Sequence, residues 1–92
     1  MKFTKIITED MAEVKAYRLK PGTKLQEDMA LRERFIRDRG ERYWSDTVDY
    51  FYDYFSAVAV GEDGKLYGIG YVYDDKLIPA VWQEVERKEE HA

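Results

Sequence analysis

Ninety-two residues with 45% hydrophobic and 15% aromatic content suffice for one compact core, so a single domain spanning 1–92 is predicted, with 89–92 as a frayed end. The absence of cysteine excludes disulfides, thiolate zinc sites and thiol nucleophiles, and the single histidine, His91, excludes an imidazole triad or a histidine-ligated metal centre. A net charge of −4 hides an asymmetry: Lys15 to Arg42 holds nine Lys and Arg against five Asp and Glu, and Tyr43 to Ala92 holds four against eleven.

In chain order, residues 3–8 or 12–19 supply a first strand, and Pro21-Gly22 breaks the chain after it. Thr23 followed by Gln26 reads as a capping box that opens a long helix over 24–39, closed by Gly40. Leu25, Met29, Leu31, Phe35 and Ile36 form its apolar stripe. Ser45 is a candidate N-cap for a second helix over 46–55, in which Val48, Phe51, Tyr52 and Phe55 recur at i, i+3, i+4 and i+7. The run Tyr50-Phe51-Tyr52 has β propensity too, so a strand is the competing reading.

Two apolar runs, 56–60 and 66–73, flank Gly61-Glu62-Asp63-Gly64-Lys65, and Asp-Gly in so short a connection predicts a hairpin. Asp74-Asp75-Lys76 makes the next turn, and Pro79 then opens a final helix carrying Val81, Trp82 and Val85, with Glu84 and Lys88 as an i, i+4 pair. The expected fold is α+β in the order β-α-α-β-β-α, a three-stranded, mainly antiparallel sheet with helices on one face.

This order, with the hairpin Ala57-Val58-Ala59-Val60-Gly61-Glu62-Asp63-Gly64-Lys65-Leu66-Tyr67-Gly68, loosely resembles the first half of the GNAT acetyltransferase fold. The glycine-rich pyrophosphate loop that holds acetyl-CoA in that family has no counterpart among these residues, so no cofactor is expected. Gly61 to Gly64 lacks phosphate-loop spacing, and Gly68 and Gly70 lie within a strand rather than opening a helix. Asp46, Asp49 and Asp53 share a helix face that could hold a hard cation, but the alternating oxygen ligands and glycine of a calcium loop are missing, so no metal site is expected. No pair of carboxylates sits in a recognisable catalytic pattern, and no enzyme is expected.

Surface chemistry is what is left. Tyr67, Ile69, Tyr71 and Tyr73 alternate on one strand face, while Ala57, Ala59, Gly68 and Gly70 are expected to form a small-residue face that a helix approaches closely. If the helices take that face, the tyrosine row is free to meet a partner or a second copy of the chain. Asp46, Asp49, Asp53, Asp74 and Asp75 interleave with Tyr67, Tyr71 and Tyr73 and could imitate phosphate spacing. This pattern predicts a non-enzymatic protein-binding module that occludes a site on a macromolecular partner, in its sharpest form an acidic inhibitor of a nucleic-acid-handling or defence protein. Small inhibitors of that kind occur among virus-encoded proteins.

The alternative is a nucleic-acid-binding regulator that uses Arg32, Arg34, Arg37, Arg39, Arg42 and Trp44 of the 24–42 segment. Glu27, Asp28, Glu33, Asp38 and Glu41 interleave with those arginines, and a salt-bridged face with pairs such as Asp28 and Arg32 is the plainer reading. The longest apolar run is Ala57-Val58-Ala59-Val60, too short for a membrane helix, and the N-terminal residues lack a signal-peptide core; a cytoplasmic location is expected.

Overall fold

A computed structural model describes residues 1–72 and 78–88. The elements run β1 (Phe3–Thr8), α1 (Met11–Val14), β2 (Tyr17–Leu19), β3 (Gln26–Glu27), α2 (Met29–Arg39), α3 (Glu41–Asp53), β4 (Ala57–Gly61), β5 (Leu66–Val72) and β6 (Ile78–Arg87). Together they make a small α+β domain with six strands and three helices. All strand pairings are antiparallel, in the order β1-β4-β5-β6-β2, and β3 pairs with β6 as well.

The expected three-stranded sheet is thus enlarged at both ends of the chain. Phe3 to Thr8 forms an edge strand, and Tyr17 to Leu19 forms another after a one-turn helix. The larger correction concerns 78–87, a strand and not the expected helix. Val81, Gln83 and Val85 face one side and Trp82, Glu84 and Glu86 the other, a period of two that packing on both faces of a central strand favours over helical spacing. Pro79 sits beside the register shift between Gly70 and Tyr71, where a missing N–H is best tolerated. Glu84 approaches Lys20 and Lys65 across the sheet, at 3.5 and 3.9 Å, in place of the expected pairing with Lys88.

Helix starts also differ. The α2 helix begins at Met29, because Asp28 is its N-cap and accepts from the Leu31 N–H at 3.0 Å. Thr23 spends its hydroxyl on the Lys20 carbonyl at 2.6 Å, and Gln26-Glu27 pairs with Trp82 and Val81 as strand. The segment expected as helix over 46–55 is helical to Asp53, with Tyr54 as an extended C-cap, and α3 starts at Glu41 after Gly40, whose φ of 99° turns the chain between the two helices without a side-chain cap. Ser45 lies inside α3 and caps nothing.

The hairpin forms where expected. Gly64, with φ 82°, donates to the Gly61 carbonyl at 2.9 Å, and Gly61 donates to the Lys65 carbonyl at 2.9 Å. One side of the sheet packs under the helices, where Val14, Leu31, Phe35, Trp44, Phe51 and Phe55 meet Val58, Val81 and Val85. Gly68 and Gly70 belong to that side. A Cβ at Gly68 would lie 2.8 Å from the Phe55 ring, and one at Gly70 3.1 Å from the Phe51 ring of α3 and 2.7 Å from Val81 Cγ2, so α3 and the segment after it sit close because both positions lack a side chain.

The expected grouping of both alanines with both glycines is corrected by the register. Ala57 pairs with Ile69 and Ala59 with Tyr67, so the alanines share a face with the large residues. There Phe3 packs edge-on against Tyr67 at 6.0 Å and Trp82 at 5.8 Å, and closes a second apolar cluster on the side away from the helices. No helix among the described residues is long and apolar enough to cross a membrane.

Candidate functional site

Two adjoining stripes of α3 have opposite fates. Trp44, Phe51 and Phe55 point into the core, while the stripe one residue earlier, Tyr43, Thr47, Tyr50 and Tyr54, borders a groove of about 490 Å³. The exposure of these tyrosines is large: 64% at Tyr43, 61% at Tyr50 and 52% at both Tyr52 and Tyr54. Tyr50 and Tyr54, one turn apart, hold their rings 5.8 Å apart at 46°. Gly70 and Tyr71 line the same groove from β5, past the point where β4 ends, and Glu9 lines it from the turn after β1.

Its charge is negative. Asp46 and Glu9 contribute carboxylates, and no lysine or arginine is among its described lining residues. Burial, then the neighbouring Glu9 charge, pushes the Tyr71 phenol above its ordinary value, so it stays a neutral hydroxyl. Among the described residues no three acidic or histidine side chains converge as metal ligands.

The sequence-predicted contact residues are dispersed. Asp46 and Tyr71 meet in this groove. Asp53 borders a smaller cavity of about 190 Å³ with Met11, Lys15 and Lys88, Tyr54 separating the two, and Asp49 is exposed on another side of α3. Tyr67 is only 4% exposed and serves the hairpin: its hydroxyl donates to Asp63 Oδ2 at 2.5 Å, while Asp63 Oδ1 accepts from the Lys65 N–H at 3.0 Å. Desolvation, reinforced by Asp63, pushes the Tyr67 phenol up to about 12, and the same hydroxyl bond heads the causes that hold Asp63 below the usual carboxylate range. Tyr73, Asp74 and Asp75 lie outside the described residues, as does the expected frayed segment 89–92.

The arginine helix is divided as well. Trp44 is 2% exposed, packed on Phe35 at 5.8 Å and donating from Nε1 to Glu27 Oε1 at 2.7 Å, so its ring has no free face for a base. Arg32 is drawn to the same carboxylate, Nε to Oε1 at 3.8 Å, and not to Asp28, which is occupied as the cap. Arg34, Arg37, Arg39 and Arg42 are exposed, and Arg34 and Arg39 have partners of their own.

Tyr43, Tyr50, Tyr54 and Glu9 were not among the predicted contact residues. The spacing 43, 47, 50, 54, parallel to the core stripe 44, 48, 51, 55, was the signal that could have found the first three. Glu9 depends on tertiary placement alone. Comparison with protein-family models, with curated proteins and with solved structures finds no match to this chain.

Proposed function

We propose that the chain is a non-enzymatic binding module that covers a site on another protein with the tyrosine-rich face of α3 and the end of β5. The observation that carries this is the exposure of Tyr43, Tyr50, Tyr52 and Tyr54 by half or more each, far beyond what folding of α3 requires. Tyrosine supplies large contact area at low entropic cost and is enriched at interface anchors. Acidic residues around it, Glu9, Asp46, Asp49 and Asp53, favour a basic partner and would steer its approach. A nucleic-acid-handling or defence protein occluded by an acidic surface is the specific version of this proposal, with the acids standing where phosphates would.

The test is comparative capture. Immobilised protein and a Tyr50→Ala/Tyr54→Ala variant are exposed to the same native lysate, and retained proteins are identified by mass. A protein held by the parent, lost by the variant and displaced by duplex DNA is the expected result. Equal retention by both would remove the proposal.

A further inference from the structure

We propose that the groove between α3 and β5 is a receptor for a single arginine side chain of a partner protein, its guanidinium stacked on the Tyr50–Tyr54 pair and paired with Asp46 and Glu9. The inference rests on the docking role proposed above and specifies its chemistry. Three properties of the groove converge on this ligand.

Its walls are aromatic. Tyr43, Tyr50, Tyr54 and Tyr71 line one cavity, and the Tyr50 and Tyr54 rings stand 5.8 Å apart and inclined at 46°, two faces between which a flat cation can sit against one ring and border the other. The face of a phenol ring carries partial negative charge, which attracts a cation and repels an anion. A planar guanidinium can stack there where a hydrated ammonium fits less well.

Among the described residues its charges are uncompensated. Neither Glu9 nor Asp46 has an ion-pair partner among the described residues, in contrast to Glu84 and Glu86, which hold Lys20, Lys65 and Arg18. A carboxylate beside an aromatic wall offers the fork geometry that a guanidinium uses.

Its floor is backbone. Gly70 brings the main chain of β5 to the cavity wall, and the shift in register beside it turns Tyr71 past the end of β4. The cavity, about 490 Å³, falls in the range of small-ligand sites.

The experiment uses the full 92-residue chain, isotopically labelled, titrated with a glycine-serine peptide that carries one arginine and with its neutral citrulline counterpart. Saturable shifts of the Thr47, Tyr50, Gly70 and Tyr71 amides with the arginine peptide are expected, and citrulline should bind about tenfold more weakly. Glu9→Gln with Asp46→Asn should weaken the arginine peptide by about the same factor, Tyr50→Leu should weaken it severalfold, and Tyr50→Phe should leave it nearly unchanged because the ring face remains. Amide spectra that match the parent away from the groove confirm that each variant is folded. Equal affinity for citrulline, shifts centred elsewhere, or no saturable response would overturn the arginine assignment. Retention of a captured protein by the Glu9→Gln/Asp46→Asn variant but not by Tyr50→Ala/Tyr54→Ala would also overturn it, while leaving the docking role intact.

Discussion

The indole of Trp44 and the carboxylate of Glu27 join α3 to the two-residue strand β3 by a 2.7 Å hydrogen bond. Glu27 also stands 3.8 Å from the Arg32 guanidinium, so one side chain links two helices and the sheet edge. Trp44→Phe should keep most of the buried area but remove the donor, at a cost of about 1–2 kcal/mol, whereas Trp44→Ala should cost about 3–5 kcal/mol through the cavity it leaves. Urea denaturation of both variants checks this, and a Trp44→Phe variant as stable as the parent would show that the hydrogen bond contributes nothing measurable.

The Tyr67 phenol should titrate above its ordinary range in the folded protein. Its value near 12 exceeds the unfolded value of about 10, so the folded state binds the proton more tightly. The stabilisation is therefore complete below pH ~10 and is lost as pH rises toward ~12. Tyrosinate absorbance should show a late component at pH ~12 that Tyr67→Phe removes, and that variant should lose about 1 kcal/mol at neutral pH. Asp63 works in the opposite sense. Its folded value is depressed, so its contribution is present above the ordinary carboxylate range and fades as the pH falls through the folded value.

Gly68→Ala should destabilise by about 1–3 kcal/mol, since the new methyl meets the Phe55 ring at 2.8 Å and Val85 at 3.1 Å. Phe55→Leu alone should cost stability as well, yet the double variant should lose less than the sum, because each change relieves the other. Strict additivity in thermal unfolding would argue against the close contact.

Helix α2 offers a test of where its cap lies. Asp28→Ala should cost about 1 kcal/mol and Asp28→Asn much less, because only the former deletes the acceptor for the Leu31 N–H. Thr23→Ala should leave helix α2 unaltered; its effect belongs to the Lys20 turn and to Gln83, whose Nε2 donates to the Thr23 hydroxyl and carbonyl at 3.1 Å. Amide exchange along 29–32 separates the two.

Local signals carried the parts of the fold that local energetics decide. The hairpin was legible because Gly64 occupies a left-handed conformation that Asp-Gly announces, and α3 was legible from the four-residue rhythm of its core side chains. The start of α2 was misread because Thr23 and Gln26 imitate a capping box that the pairing of Gln26-Glu27 with β6 overrides. Residues 78–87 were misread for a related reason: Pro79, Glu84 and Lys88 suit a helix, and only the presence of strands on both sides makes the alternation of Val81, Gln83 and Val85 decisive. In the groove, Asp46 and Tyr71 were anticipated from composition and alternation. Glu9 could not be, since thirty-six residues separate it from Asp46 and only the fold brings them together.

Strand β6 follows every other element in the chain and yet lies between β5 on one side and β2 and β3 on the other. Without it, β2 and β3 lack a backbone neighbour, β5 is open along one edge, and the interior is missing Val81, Trp82 and Val85. Until β6 is paired, β5, β2 and β3 each keep an open backbone edge, so docking of this strand is what joins them into one sheet.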